Sequence, residues 1–278
     1  MRMIHFLSKL GTAMLLGVCL SCFADGKDKD DEYIQFSGIS DPSAGVIIGT
    51  PENGVSFLVA DDENSDLFLL SPNGGMPEKI FSVRNDLVGL RGKKEFDLEG
   101  AARIGDTVYW ISSHGRNSKG EVQPSRCVFF ATKVDDFKKT AFVKGVPFQG
   151  MLPALIANPE LKKYKLAEAS LLSPKLPNAL NIEALSASPE GWLWIGFRNP
   201  IPGGKALLVP LLNPQDVITG GKPEFGESVL LDLGGLGFRD MCYAGNGYLI
   251  VAGPYDKGGC KLYRWNGKEE SAPVLIKE

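Results

Sequence analysis

The chain has 278 residues, of which 44% are hydrophobic and 23% are charged, a composition that argues against a disordered protein and allows a full hydrophobic core. Its 33 glycines and 18 prolines favour many short strands joined by turns over a helical bundle. The formal net charge of −3 offers little to a phosphate backbone, so we expect no nucleic-acid partner.

Residues 1–24 have the pattern of a signal peptide: a short basic start, an apolar run over residues 10–20, and small residues ending at Ala24. The apolar run is too short to span a membrane as a helix, so we expect no transmembrane segment. The sequence therefore predicts a periplasmic or secreted protein. Lipoprotein anchoring at Cys22 is the alternative, and it is weakened by Cys19, which stands where a leucine is usual.

The charged residues 25–34 are interpreted as a solvated linker, and residues 35–278 as one domain. Within that domain, four segments begin alike, and we interpret each as the first strand of a repeated unit. These segments are FSGIS (36–40), FDLEGAA (96–102), LNIEALS (180–186) and LGFRDMC (236–242). Each is followed by three more apolar segments, separated by turn residues such as Asn246-Gly247.

Four strands per unit, repeated along the chain, predict an all-β fold: a β-propeller of four-stranded antiparallel blades, with four to six blades. A β-sandwich is the alternative, but it does not predict a recurring start motif. A helical insertion at about residues 150–175 interrupts the repeats. Asn158-Pro159-Glu160 and Ser173-Pro174 provide its start and stop signals, so we predict a helix over 159–172, either on the rim or as a lid over a central pocket.

The repeats resemble domain-of-unknown-function family 3616, a family of exported bacterial proteins. The motifs that carry the resemblance are SGIS with VADDENSDLFLL, FDLEGAARIGDTVYWISSHGR, LNIEALSASPEGWLWIGFRNPI, and GLGFRDMCYAGNGYLIVAGP before KLYRWNG. The layout is also similar to that of the esterase-like phytase propellers. This resemblance implies a propeller fold and permits, as an alternative function, the hydrolysis of esters or phosphate esters.

If the first strand of each blade lines the central channel, Glu99, Glu183 and Asp240 face one axis. Their mutual repulsion then has to be relieved by a cation, an arginine or protonation. One hypothesis is a structural calcium or magnesium ion held by these three acids. A second is that the acids accept backbone hydrogen bonds and hold neighbouring blades together. A third is that the glutamates and arginines bind a substrate or carry catalysis.

Three arginines are candidates for contact with those acids or with a ligand. Arg239 precedes Asp240, while Arg116 and Arg198 end predicted second strands in SSHGR and GFR. Because guanidinium groups bind carboxylates and phosphates through paired hydrogen bonds, we predict that Arg116, Arg198, Arg239 and Asp240 bind a ligand.

The sequence offers few other catalytic groups. His114 is the one histidine after the leader, so a multi-histidine zinc site is excluded, and no G-x-S-x-G motif is present. An ester or phosphoester hydrolase would need Glu99, Glu183 or His114 as acid or base. The open alternatives are binding of a small or polymeric ligand at the channel mouth, with a possible calcium ion, hydrolysis, and a scaffold for a protein partner.

Three cysteines follow the leader. Cys242 and Cys260 fall on the first and third strands of one predicted meander, about 10 Å apart, which is too far for a disulfide. We therefore expect Cys127, Cys242 and Cys260 to be reduced.

Overall fold

The structure, a computed structural model, describes residues 34–61, 66–83, 87 and 95–277. The predicted signal peptide, Cys22 and residues 25–33 of the predicted linker lie outside these ranges. Within them, no helix is long and apolar enough to cross a bilayer.

The described strands form four antiparallel sheets of four strands each, arranged as a four-bladed β-propeller. The predicted fold is confirmed, and the blade count is four. Every sheet is a meander in which strands that follow one another along the chain are hydrogen-bonded neighbours. Each blade is therefore a local unit of sequence, as the repeats predict.

The strands of the four blades have the following bounds. Blade 1 contains β1 (Pro42–Ile48), β2 (Ser56–Asp61), β3 (Asp66–Leu70) and β4 (Lys79–Ser82). Blade 2 contains β5 (Leu98–Ile104), β6 (Thr107–Ser112), β7 (Phe129–Asp135) and β8 (Thr140–Phe148). Blade 3 contains β9 (Asn181–Ala187), β10 (Leu193–Asn199), β11 (Ala206–Leu211) and β12 (Val229–Leu231). Blade 4 contains β13 (Gly237–Tyr243), β14 (Tyr248–Gly253), β15 (Lys261–Trp265) and β16 (Val274–Lys277).

The first strands of blades 2, 3 and 4 coincide with the predicted segments, but that of blade 1 does not. The segment 36–40 precedes β1, and the prediction that it forms the first strand is wrong. Gly38 has a φ of +79°, which breaks an extended strand there. Phe36 instead packs edge-to-face on Phe57, with ring centroids 6.4 Å apart, and covers one face of blade 1.

Apolar side chains fill the space between consecutive blades. One buried cluster joins blades 1 and 2, a second joins blades 2 and 3, and a third joins blades 3 and 4. Members from the two blades of each cluster include Leu58 and Trp110, Phe129 and Leu185, and Leu208 and Phe238. Among the described residues, no such cluster joins blade 4 to blade 1: Val251 and Val59 belong to separate clusters.

The predicted insertion lies between β8 and β9 and contains three short helices instead of one. They are α1 (Met151–Ala157), a 3-10 helix (Pro159–Tyr164) and α2 (Leu166–Ala169). The side chain of Asn158 accepts a hydrogen bond from the Glu160 amide, as the start signal predicts. The continuous helix predicted over 159–172 is wrong because Lys165 adopts a left-handed conformation, with a φ of 52°.

The insertion packs on the propeller. Leu155, Leu161 and Leu166 belong to the cluster between blades 2 and 3. The Tyr164 hydroxyl is 2.9 Å from the Ser228 hydroxyl. The other short helices are 3-10 turns at Pro124–Arg126 and Pro202–Gly204, and α3 (Pro214–Val217).

The cysteines depart from expectation at one position. Cys127 and Cys242 are free thiols, whereas Cys260 is disulfide-bonded. The prediction of a reduced Cys260 is therefore wrong for the full chain; its bond partner lies outside the described residues, and the prediction still applies to a mature chain that begins at Asp25. The spacing of the strands separates Cys242 from Cys260, and these two cysteines are not bonded to each other.

Candidate functional site

Each first strand contains a β-bulge near its start, and the four bulged residues are equivalent. In blade 2, Leu98 pairs with Ser112 and Gly100 with Ile111, which leaves one extra residue between them. The extra residues of the four blades are Ser43, Glu99, Glu183 and Arg239. A bulge redirects the side chain of its extra residue, so these four positions define a repeated site near the start of the inner strands.

This register changes the expected grouping of acids. Arg239, not Asp240, is equivalent to Glu99 and Glu183. Asp240 falls one residue later, at the position that Gly100 and Ala184 occupy in blades 2 and 3. The sequence motif aligned the two kinds of acid because it contains no information on where the bulge falls.

Asp240 is a buried carboxyl group. Its Oδ1 accepts a hydrogen bond from the Met241 amide at 2.7 Å, while its Oδ2 has no hydrogen-bond partner in the described part of the chain. Burial raises the pKa of Asp240 to about 8. The group is then mostly protonated at neutral pH, a state poorly suited to binding a cation.

Glu183 is held by two arginines from adjacent blades. Its Oε1 lies 2.6 Å from Arg198 Nη1, and its Oε2 lies 3.1 Å from Arg239 Nη1. Asn181 Nδ2 also donates to Oε1, at 2.6 Å. The Glu183 side chain is 4% exposed. Three residues singled out from the sequence therefore meet here, with one more positive than negative charge.

Arg198 also fixes the loop that follows β14. Its Nε donates to the Pro254 carbonyl at 2.9 Å, and its Nη2 donates to the Asp256 carbonyl at 3.1 Å. Its own carbonyl lies against Gly237, where an added Cβ would be 1.9 Å away. Blades 3 and 4 are thus in direct backbone contact beside the arginines.

A pocket of about 260 Å³ opens between these elements. Its lining residues are Arg198, Arg239, Pro254, Asp256, Lys257, Gly258 and Cys260. Three of them are basic and one is acidic. When Glu183, which lies behind the arginines, is included, the described residues at the pocket carry three positive and two negative charges, in a chain whose net charge is −3. The local charge favours an anion.

Blade 2 contains a separate ionic cluster, and its buried acid is Asp97. Asp97 Oδ2 lies 3.0 Å from Arg126 Nη1 and accepts a hydrogen bond from the Ser113 hydroxyl. Arg126 pairs with Glu95 as well. Burial raises the pKa of Asp97, and the Arg126 charge opposes that shift. The sequence does not identify Asp97, because the repeat motif selects Glu99 as the acid of this segment. In the structure Glu99 is half-buried.

His114 is buried and neutral. Its Nδ1 is 2.8 Å from the Ser112 carbonyl, and burial lowers the pKa of the imidazole to about 4. Neither His114, Glu99 nor Glu183 lines the pocket. Since a general base must reach the proton that it removes, the hydrolase hypothesis has no specific observation in its favour.

Arg116 forms a hydrogen bond with the helical insertion and does not reach the pocket. Its Nε donates to the Ser170 carbonyl at 2.8 Å, and its Nη1 donates to the Gly120 carbonyl at 3.0 Å. These contacts tie the loop after β6 to the end of α2. The structure does not group Arg116 with the two arginines of the pocket.

The described residues contain no cluster of side chains that could coordinate the predicted calcium ion. Across residues 34–61, 66–83, 87 and 95–277, no three histidine, cysteine, aspartate or glutamate side chains come together in a way that could hold a metal ion. Of the three proposed ligands, Glu183 is engaged by arginines and Asp240 is a buried acid with a raised pKa. We therefore do not include a cation in the proposed function.

Residues 149–277 match the family described as "Protein of unknown function (DUF3616)", so the family expected from the sequence is confirmed over this part of the chain. The matched part contains blades 3 and 4 and the whole pocket. A comparison with curated proteins finds no match.

Several solved structures are weakly similar. "YCF48 bound to D1 peptide" is 13% identical with a TM-score of 0.35, covering 88% of this chain and 56% of that one. PorZ, a surface component of the type-IX secretion system of Porphyromonas gingivalis, is 12% identical with a TM-score of 0.38, covering 86% and 28%. A luciferin-regenerating enzyme is 11% identical with a TM-score of 0.35, covering 90% and 86%. The chain thus spans little more than half of the first protein and less than a third of the second.

Proposed function

We propose that this protein is an exported β-propeller that binds an anionic small molecule, or an anionic group of a polymer, in the pocket between blades 3 and 4. The observation that carries the proposal is the convergence of Arg198, Arg239 and Lys257 on one pocket. Guanidinium groups are well suited to carboxylates and phosphates, because their donors match the two oxygens of such groups.

The two arginines are held in place before any ligand binds. Glu183 pairs with both, and two backbone carbonyls fix Arg198 further. Their side chains are still 15% and 12% exposed, so they remain accessible from the pocket. Fixed donors lose little conformational entropy on binding, which favours affinity. Lys257 is exposed and adds a third positive charge.

Export rests on the leader over residues 1–24. Mass spectrometry of the protein isolated from the periplasm or medium tests it. We expect a mature chain that begins at Asp25. An acylated N-terminal Cys22 would instead support the lipoprotein alternative, and an intact leader on the isolated protein would contradict export.

Isothermal titration calorimetry at low ionic strength tests anion binding. The probes are inorganic phosphate and citrate, with maltose as an uncharged control. We expect saturable binding of at least one anion and none of maltose. Because exposed ion pairs contribute up to about 1 kcal/mol, K257Q should weaken that binding about two- to fivefold. R239Q should weaken it about tenfold or more.

The matched control for K257Q is K268Q, which removes an exposed lysine of the same blade that does not line the pocket. It should leave affinity unchanged. The proposal is wrong if neither anion binds saturably, or if K257Q and K268Q behave alike. Copurification of a protein partner with no anion binding would favour the scaffold alternative.

A further inference from the structure

The end of the helical insertion exposes three leucines. Leu171 is 65% exposed, Leu172 36% and Leu176 48%. We call these three residues the leucine patch. Single exposed leucines are common on soluble proteins, whereas exposed apolar residues grouped on one surface mark sites that contact proteins or membranes. Residues 268–277, which include the exposed Val274, Leu275 and Ile276, contain two lysines and two acids, so the leucine patch is distinguished by the charge of its segment.

The backbone of this segment is anchored to two blades. Arg116, in the loop after β6 of blade 2, donates from Nε to the Ser170 carbonyl at a distance of 2.8 Å. Asn199, at the end of β10 in blade 3, donates from Nδ2 to the Leu176 carbonyl, also at 2.8 Å. Between the anchors, the Leu176 amide donates to the Ser173 carbonyl at 2.9 Å in a tight turn. The leucines are therefore presented outward by a braced segment.

The segment that carries the leucine patch is positively charged. From the start of the 3-10 helix to Leu176, residues 159–176 contain four lysines and two acids, Glu160 and Glu168, in a chain whose net charge is −3. The lysines are Lys162, Lys163, Lys165 and Lys175, and all of them are exposed. Basic residues next to exposed leucines match the two layers of an anionic bilayer surface, where headgroups carry negative charge above an apolar interior.

We propose that the leucine patch docks on an anionic membrane surface, with the leucines in the interface and the neighbouring lysines among the headgroups. This charge complementarity favours a lipid surface over an uncharged protein groove. The proposal is independent of the anion pocket, whose lining residues all come from blades 3 and 4 and not from the insertion.

Co-sedimentation of the purified protein with vesicles tests this proposal. One set is pure phosphatidylcholine, and the other is phosphatidylcholine mixed with phosphatidylglycerol. We expect binding to the mixed vesicles, weaker binding to the neutral ones, and loss of the difference at high salt. The triple variant L171S/L172S/L176S should reduce partitioning on the order of tenfold, because it removes the apolar contacts. K162Q/K163Q/K175Q should abolish the preference for phosphatidylglycerol.

The matched control is V274S/I276S on β16, whose side chains are 66% and 51% exposed but lie outside the insertion. It should bind vesicles as the unchanged protein does. Circular dichroism melting should show that the leucine variant is folded, since its changes are at exposed positions. The proposal is overturned if the unchanged protein does not bind mixed vesicles, or if the leucine variant binds them equally well. Self-association through the patch without vesicle binding would also overturn it.

Discussion

Glu183 and Arg239 form an ion pair because they occupy the same bulged position in neighbouring blades. Arg198, from the second strand of blade 3, completes the pairing from the other side. A buried carboxylate between two guanidinium groups is stable only while all three charges are present. The ion pairs hold the two arginine side chains in place at the pocket, and the two arginines outnumber the single carboxylate. Substitution of any of the three residues should therefore change both stability and anion affinity.

Substitution E183Q should separate the two roles of the carboxylate. It removes the negative charge that Arg198 and Arg239 share, so the free energy of unfolding should fall by about 3 kcal/mol. Anion affinity should rise, because the competing negative charge is gone. Urea unfolding and calorimetry measure the two effects. The control E227Q, at an exposed site, should change neither. A stable E183Q protein with unchanged affinity would contradict this account.

Asp240 should make stability depend on pH. Its carboxyl has a pKa near 4 when unfolded and about 8 when folded, so the folded state binds a proton that the unfolded state has lost. The stabilisation is full below about pH 4 and is lost as the pH rises through 8. D240N removes the ionisation, and its melting temperature relative to the unchanged protein should therefore rise between pH 5 and 8.

Thermal melting over that pH range measures the effect of D240N. The comparison variant is D232N, at an exposed aspartate, whose melting temperature should follow that of the unchanged protein. If the difference in melting temperature between D240N and the unchanged protein did not vary with pH, Asp240 would have the same pKa in the folded and unfolded states, which would contradict the prediction.

The sequence predicts part of this site. Glu183, Arg198 and Arg239 were identified because they recur at starts and ends of predicted strands. Lys257 and Asp97 were missed for a physical reason. Lys257 lies in a loop, and its place in the pocket depends on how Arg198 fixes that loop. Asp97 meets Arg126 through tertiary folding, which no local spacing specifies.

At the scale of elements, the site depends on how closely blades 3 and 4 approach. Gly237 begins β13 directly against the Arg198 carbonyl. A Cβ at this position would collide with that carbonyl, so G237A should push β13 away from β10. Overpacking of this kind costs about 1–3 kcal/mol. Anion affinity should fall as well, because Arg198 would move.

Urea unfolding and calorimetry also test G237A. The matched control is G259A, because an added Cβ at Gly259 meets no atom within 4 Å. It should change stability by less than about 0.5 kcal/mol. Equal stability of the two variants would show that the blades can separate at no cost.

The elements that sequence reasoning placed well are those with a strong local pattern. β5, β9 and β13 follow their motifs because the apolar residues of each strand recur within the motif itself, although the motif does not specify where the bulge falls. β1 was misplaced because FSGIS imitates the motif, although Gly38 turns the chain away. The insertion was predicted as one helix because its caps are visible, whereas the left-handed Lys165 has no sequence signature.

At the scale of the whole molecule, the propeller has one interface that differs from the rest. Three pairs of neighbouring blades share a buried apolar cluster, whereas the described residues of blades 4 and 1 form separate clusters. Moreover, each sheet uses only consecutive strands, so none of the sheets of residues 34–277 combines the first described strands with the last. In this part of the chain, blade 1 therefore shares such a cluster with blade 2 alone.

Hydrogen exchange followed by mass spectrometry tests this asymmetry. Amides of β1 to β3 should exchange faster than those of β9 to β11, because blade 3 is supported on both sides. Blade 2, which is also supported on both sides, should resemble blade 3 and provides the internal control. Equal protection of blades 1 and 3 would mean that the ring opens as one unit.

The positive charges of blades 3 and 4 form the proposed anion site. Crystals soaked in selenate test this site, because the anomalous signal of selenium locates the bound anion. The account predicts a peak in the pocket within hydrogen-bond distance of Arg239 and next to Lys257. Peaks confined to other parts of the surface, with none in that pocket, would contradict it.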